Sequence, residues 1–157
     1  MNEKQIKFMR EAIRLSVESV KNGGGPFGAI VVKGEEILAW GNNRVTQTFD
    51  PTAHAEVVAI REACKQLHSF QLEDCEIYTS CEPCPMCLGA IYWARPSKVF
   101  YGNNQTDAAL IGFDDSFIYR EISISLSERK IPMTQLLPEE AIRAFQLWEI
   151  KADKTKY

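Results

Sequence analysis

The chain has 157 residues, of which 45% are hydrophobic and 25% are charged, and its formal net charge is −3. This length fits one domain with a buried core, and the composition is ordinary for a globular protein. No apolar run is long enough to span a membrane, and the N-terminus lacks the apolar stretch of a signal peptide, so a cytoplasmic location is the default expectation. The slight acidity does not favour polynucleotide binding, for which a basic face is typical.

The hydrophobic pattern predicts alternating helices and strands in a single domain over residues 1–157. In chain order it predicts a helix over 3–22, strands over 28–33 and 36–40 that form a hairpin, a helix from 54, a strand over 76–80, a helix over 85–95 and a strand over 98–101. Residues 107–127 are ambiguous, 129–136 are compatible with a further strand, and Pro138 begins a last helix. This order predicts an α/β fold of three layers, with helices on both sides of a sheet.

The cysteines also bear on function. They are an odd number, with three of them crowded into one short segment: Cys64, Cys75, Cys81, Cys84 and Cys87. A secreted disulfide framework would pair its cysteines and spread them out. Reduced thiols fit better, with Cys64 and Cys75 in the core and the others available for a metal or for catalysis.

Two short segments carry the residues for chemistry, TAHAE (52–56) and PCPMC (83–87). Cys84 and Cys87 lie three residues apart at a predicted helix start, where both sulfurs point to one side and the thiolate form is favoured. His54 supplies a third ligand, and no fourth is evident. Three protein ligands predict a catalytic zinc site with one Zn2+ per chain, because a structural site would have four.

Glu56 is the predicted acid/base of this site. Zinc lowers the pKa of bound water to about 7, but a side chain must still carry protons. Residues two apart on a regular helix point about 200° apart, so His54 and Glu56 can both face the metal only if His54 lies at an irregular helix start. H-x-E followed by P-C-x-x-C is the signature of zinc deaminases that act on nucleobases.

Simpler readings of these residues stay open. Cys81 and Cys84 also form a C-x-x-C pair, which is compatible with redox activity. A closed structural zinc site is a second alternative. His68 is expected at the surface, and glycines 23–25 are expected only to end a helix, because they lack the rest of a phosphate-binding loop.

The chain resembles the cytidine-deaminase superfamily through GGPFGAIVVK (24–33), Asn43, DPTAHAE (50–56) and YTSCEPCPMCLGAIYWARP (78–96). Within it, the chain is most similar to the bacterial guanine deaminases, through TDAALIGFDDSFIYREI (106–122) and the tail from Trp148 to Tyr157. The resemblance implies a central mixed sheet in a cytidine-deaminase-like fold. It also implies hydrolysis of guanine to xanthine and ammonia, a reaction of purine catabolism or salvage.

The same resemblance implies roles for residues around the metal. Asn43 would hydrogen-bond the edge of the base, and Ala55 would offer its backbone N–H to the base carbonyl. Phe27 would line or stack on the base, unless it is plain core. Asp115 would face the amino group of guanine and help to carry protons, unless it is only a turn carboxylate.

Two further residues are implied at the periphery. Trp93 would line the pocket, and Tyr157 would close over a site, that of its own chain or of a partner subunit. The resemblance thus implies a homodimer in which the C-terminal helix and tail, about 138–157, contact the partner. The frayed chain end that is common in proteins is the alternative for Tyr157.

Two rival functions follow from the same motifs. The first is the same chemistry on another base, which could be adenosine in tRNA, cytosine or cytidine. The second is a zinc-stabilised binding module without activity, against which the complete set of His54, Glu56, Cys84 and Cys87 argues.

Overall fold

The computed structural model describes residues 2–157 as two compact units, one ending at Asp115 and the other running from Ser116 to Tyr157. The first unit contains α1 (Glu3–Lys21), β1 (Gly28–Lys33), β2 (Glu36–Asn42), α2 (Val45–Thr48), α3 (Ala55–Leu67), β3 (Cys75–Cys81), α4 (Pro85–Ala94), β4 (Lys98–Asn103) and α5 (Gln105–Leu110). The second contains α6 (Ser116–Ser123), a 3-10 turn (Leu126–Glu128) and α7 (Pro138–Ile150). None of the helices formed by residues 2–157 combines the length and the apolar character needed to cross a membrane.

The first unit is built on a mixed sheet of strand order β2-β1-β3-β4. Strand β1 pairs antiparallel with both β2 and β3, and β3 pairs parallel with β4. The parallel pair is joined through α4, as a parallel connection requires a crossover. The predicted hairpin and the mixed sheet are therefore confirmed.

Side chains alternate across the sheet and divide the core into two layers, because successive strand residues point to opposite faces. In β1, Ile30 and Val32 pack with Phe8 and Leu15 of α1. Their neighbours Ala29 and Val31 belong to the other core cluster, which contains the buried alanines of α3 and the end of α4. Helices thus cover both faces, and the predicted three-layer α/β/α architecture is confirmed.

Helix α1 is confirmed, but two apolar stripes run along it. The side chains it buries are Phe8, Ala12, Leu15 and Ser19. The three-to-four spacing of Ile6, Met9, Ile13, Val17 and Val20 predicts this helix, but Ile13, Val17 and Val20 are exposed. The packed face of α1 is the one where small residues allow a close approach to β1. A Cβ at Gly28 of β1 would lie 2.5 Å from the carbonyl oxygen of Ala12 in α1.

The second unit corrects one prediction. Residues 129–136 form no strand; the described backbone there is irregular between the 3-10 turn and α7. The Lys130 N–H donates to the Glu121 carboxylate at 2.7 Å, and Arg129 donates to the Ile122 carbonyl at 3.3 Å, so local side chains take the place of a strand partner. Pro132 also lacks the N–H that a ladder needs.

The segment 107–127, ambiguous in the sequence, is largely helical. Asn104 begins α5 with a capping box, in which its side chain accepts from the Asp107 N–H and Asp107 accepts from the Asn104 N–H. Such reciprocal bonds satisfy two N–H groups that a helix start leaves without partners. Helix α6 follows in the second unit, so the short length of both helices explains why no clear periodicity marks them in the sequence.

Gly41 brings the start of α3 onto the sheet. It lies on β2, and a Cβ built there would be 2.1 Å from the Ala55 carbonyl oxygen and 2.7 Å from the Ala59 nitrogen. Both contacts are with backbone, which cannot give way as a flexible side chain would. Only glycine allows this approach, and the approach fixes the position of the first turn of α3.

We predict that Gly41→Ala destabilises the protein by about 1–3 kcal/mol, the usual cost of overpacking. Gly89→Ala is the matched control, because Gly89 lies in α4 with no atom within 4 Å of an added Cβ. That control should gain stability by about 0.5–1 kcal/mol, since alanine is the better helix former. Urea denaturation of both variants checks this, and a Gly41→Ala protein as stable as the wild type would contradict the packing described.

Candidate metal centre and its surroundings

The starts of two helices supply three metal donors. His54 is the N-cap of α3 and Cys84 is the N-cap of α4, and both have extended backbones, with ψ of 156° and 167°. Cys87 lies one turn into α4 and is buried. The extended backbone of His54 is the irregular helix start that the H-x-E spacing requires, so His54 and Glu56 reach the same place from different backbone geometries.

The donor atoms are spaced as a zinc ion requires. His54 Nδ1 lies 3.5 Å from the Sγ of Cys84 and 3.5 Å from the Sγ of Cys87. Tetrahedral zinc with ordinary Zn–N and Zn–S bonds places such atoms about 3.6 Å apart. All three ligand atoms lie within 4.8 Å of one another, and within residues 2–157 this is the group of His, Cys, Asp and Glu side chains that could hold a metal.

The charges of the two thiols also fit a divalent cation. The proximity of Cys87 and of His54 lowers the pKa of Cys84 to about 4, against the opposing effect of burial. The same contact with Cys84, together with burial, raises the pKa of Cys87. The pair therefore does not lose both protons unaided, and a cation bound to both sulfurs supplies the charge that the second thiolate needs.

Glu56 lies beside the donors with its carboxylate buried. It is 5% exposed, and Oε2 accepts a hydrogen bond from Cys87 Sγ at 3.4 Å. Oε1 accepts from the hydroxyl of Thr79 at 3.0 Å. Burial raises the pKa of Glu56, and these hydrogen bonds oppose the shift in part. A carboxyl group of raised pKa next to a metal site is suited to taking up and giving back a proton.

Asn43 lies directly after β2 and is held by its surroundings. It is 6% exposed, its backbone N–H donates to the Phe27 carbonyl at 3.1 Å, and its Oδ1 accepts from the Val45 N–H at 3.3 Å. A Cβ at Gly25 would lie 3.2 Å from the Asn43 side chain, and one at Gly24 would lie 2.6 Å from the Asn43 carbonyl oxygen. These glycines therefore do more than end α1: they make room for Asn43.

Phe27 forms an aromatic pair that sequence reasoning missed. It packs against the core cluster under α3, and its ring meets the ring of Phe113 edge-on at 5.0 Å. Phe113 belongs to the GFDD segment, but nothing in the sequence pairs it with a residue 86 positions earlier. The contact joins the segment before β1 to the GFDD segment.

Asp115 follows Phe113 closely and is half-buried. Burial raises its pKa, and the negative charges of Cys84, Asp114 and Glu82 raise it further.

The remaining predicted residues occupy different places. Ala55 is fully buried at the first position of α3, where a backbone N–H has no partner within the helix. Trp93 is 64% exposed near the other end of α4 from the donors. Tyr157 ends the second unit and is 67% exposed. Geometry thus groups Glu56 with the donors and leaves the roles of Trp93 and Tyr157 as predictions.

The other cysteines do not join the metal group. All five cysteines, which lie within the described residues, are free. Cys75 is a core residue and Cys64 packs against the same cluster, as expected. Cys81 is buried, its Sγ approaches the Asn104 carbonyl at 3.8 Å, and burial raises its pKa to about 11. A thiol with such a pKa stays protonated at neutral pH, so Cys81 would not be the attacking thiol of a redox pair with Cys84.

Comparison with known proteins agrees with this geometry. Residues 2–103 match the family model described as the cytidine and deoxycytidylate deaminase zinc-binding region. The guanine deaminase of Bacillus subtilis strain 168 is 58% identical over 151 residues, which cover 96% of this chain and 97% of that protein. The tRNA-specific adenosine deaminase of Aquifex aeolicus is 44% identical over 94 residues, 60% of this chain and 62% of that protein.

Solved structures show the same relationship. The X-ray structure of the Bacillus subtilis guanine deaminase superposes with a TM-score of 0.95 at 56% identity and covers 100% of this chain and 99% of that one. A guanine deaminase from Nitrosomonas europaea gives a TM-score of 0.65 at 32% identity, covering 69% of this chain and 63% of that one. The three converging donors and the family match lead to the same conclusion: the chain belongs to the cytidine and deoxycytidylate deaminase family of zinc-binding proteins.

Proposed function

We propose that this protein is a zinc-dependent aminohydrolase that converts guanine to xanthine and ammonia. The observation that carries the proposal is the buried Glu56 carboxylate beside the His54, Cys84 and Cys87 donors. The choice of guanine is supported by extent of similarity, since the Bacillus subtilis guanine deaminase matches 96% of the chain while the Aquifex aeolicus tRNA deaminase matches 60%. The five free thiols support the reducing, cytoplasmic compartment proposed for it.

His54, Cys84 and Cys87 would hold the metal. When bound, zinc would act as a Lewis acid and lower the pKa of a water molecule to about 7. Glu56 accepts the proton of the attacking water and delivers it to ring nitrogen N3 as C2 becomes tetrahedral. Its buried position excludes bulk water from this exchange, and its raised pKa makes the protonated form accessible.

Three residues of the first unit would orient the base, and a fourth would carry a proton. Asn43, fixed against two glycines, presents its amide to the base edge, and the first-turn N–H of Ala55 is available for the base carbonyl. Phe27, which contacts Phe113, would lie along the ring of the base. By the resemblance, Asp115 would be the second proton carrier and would help ammonia to leave; burial and the charge of Cys84 raise its pKa. Trp93 would line the pocket and Tyr157 would close over a site, both on the resemblance alone.

We also propose that residues 1–157 act as a single deaminase domain within a homodimer, with the C-terminal helix and tail, about 138–157, contacting the partner. Helix α7 supports this, because none of its residues is buried. Its exposed large apolar side chains are Ile142, Phe145, Leu147, Trp148 and Ile150. A surface of this kind is typical of an interface rather than of a solvated helix.

The substrate is tested with an assay of ammonia release across guanine, adenine, cytosine, cytidine and tRNA, on metal-replete protein. We expect guanine to exceed every other substrate in kcat/KM by at least about 100-fold, because unpaired polar groups penalise the wrong base. Release from tRNA alone would refute guanine and leave a zinc deaminase. One zinc per chain with no release from any substrate would instead favour a binding module.

The role of Glu56 is tested by Glu56→Gln, which keeps the size of the side chain and removes its proton transfer. We expect kcat to fall by about 10²–10⁴-fold or more, with one zinc still bound per chain. Glu62→Gln is the control, because Glu62 is an exposed residue of the same helix. A Glu56→Gln protein with near-normal kcat would exclude the role assigned to it.

The homodimer is tested by sedimentation equilibrium of the full chain, which should report twice the chain mass. Phe145→Glu, which places a charge on an α7 side chain that is 73% exposed, should shift the protein toward the monomer. Glu62→Lys, at an exposed residue of α3 outside the proposed interface, should leave the dimer intact. A wild-type monomer at micromolar concentration would exclude the proposal.

A further inference from the structure

The C-terminal end of β3 carries two buried hydroxyl groups in succession. Thr79 is 1% exposed and Ser80 is 2% exposed. Because neighbouring strand residues point to opposite faces, the two hydroxyls serve different partners. Ser80 Oγ accepts the Gly28 N–H at 3.0 Å on the α1 side, whereas Thr79 Oγ1 donates to Glu56 Oε1 at 3.0 Å on the α3 side.

The contact between Thr79 and Glu56 makes the two carboxylate oxygens unequal. Oε1 lies on the side of β3, where the threonine hydroxyl holds it. Oε2 lies on the side of the metal donors, 3.4 Å from Cys87 Sγ. The carboxylate is thus held by one hydrogen bond from the sheet at Oε1, and Oε2 is the oxygen that faces the donors.

We propose that Thr79 is a positioning residue for the reaction: it anchors Oε1 of Glu56 so that Oε2 is the oxygen that exchanges protons with water and base. The inference rests on the proposed function, in which Glu56 is the proton carrier. The Thr79 hydroxyl donates to Glu56 and to none of the three metal donors, so Thr79 acts through Glu56.

Physical chemistry gives the threonine hydroxyl a definite task. A glutamate side chain has three rotatable bonds, and at the second position of α3 its carboxylate could also turn toward the N–H groups of the first helical turn, which have no partner within the helix. A donor on the rigid sheet selects the rotamer that points at the metal donors. Preorganisation of this kind matters because small misplacements of a catalytic group cost large factors in rate.

The alternative is that Thr79 only packs against its neighbours. Two substitutions separate the positioning role from the packing role. Thr79→Val keeps the shape of the side chain and removes the hydroxyl. Thr79→Ser keeps the hydroxyl and removes the methyl. If Thr79 only fills space, the serine variant is the more damaged; if it positions Glu56, the valine variant is.

The experiment measures kcat, KM and zinc content for these variants, with whichever base the wild-type protein hydrolyses best. For Thr79→Val we expect kcat to fall by about 10- to 100-fold, the usual cost of losing a supporting hydrogen bond, with KM within about threefold and one zinc per chain. For Thr79→Ser we expect most of the wild-type kcat. Ser97→Ala is the control. It removes the 2.7 Å hydrogen bond that the Ser97 hydroxyl donates to the Cys75 carbonyl, which lies at the opposite end of β3 from Thr79.

A double-mutant cycle then separates this inference from the proposed function. In a Glu56→Gln background, Thr79→Val should lower kcat by less than twofold, since both changes act through one carboxylate. The proposal is overturned if Thr79→Val keeps the wild-type kcat, if Thr79→Ser falls as far as Thr79→Val, or if the two effects multiply in the cycle. Should Thr79→Val fail to fold, Thr79→Ala replaces it, and equal kcat values for the alanine and serine variants overturn the proposal. Failure of the guanine assignment alone would change the base used, not these ratios.

Discussion

The site depends on the meeting of two helix N-termini at one edge of a mixed sheet. His54 precedes α3 and Cys84 precedes α4, and each has an extended backbone that turns its side chain toward the other. The approach of α3 to β2 is possible only because Gly41 has no Cβ to strike the Ala55 carbonyl. Without this close packing, the imidazole and the two sulfurs would not lie at the spacing that one zinc ion requires.

The same meeting point concentrates negative charge in a buried place. The Cys84 thiolate and the Glu56 carboxylate lie around a single small volume, and burial penalises each charge. A divalent cation offsets this cost and at the same time provides the reactive centre. The same packing therefore serves both metal binding and the proposed chemistry. Thr79 orients the Glu56 carboxylate from the sheet.

The sequence was sufficient for the parts of the site that are local. The H-x-E and P-C-x-x-C spacings placed His54, Glu56, Cys84 and Cys87 at helix starts, and the period-two and helical patterns gave the order of the elements in the first unit. Features that depend on distant pairing could not be predicted. The ring of Phe113 beside Phe27, the hydroxyl of Thr79 on Glu56 and the choice of the sheet-facing side of α1 all require the tertiary structure. The prediction of a strand over residues 129–136 failed for the same reason. A strand forms only with a partner strand, and Pro132 cannot donate the hydrogen bond that such pairing needs.

X-ray absorption spectroscopy at the zinc edge of the metal-replete protein tests the convergence of these side chains most directly. The account predicts one zinc per chain with two sulfur ligands at about 2.3 Å and the remaining ligands nitrogen or oxygen at about 2.0–2.1 Å, including one imidazole. A four-sulfur environment, or one without sulfur, would contradict a centre built from His54, Cys84 and Cys87.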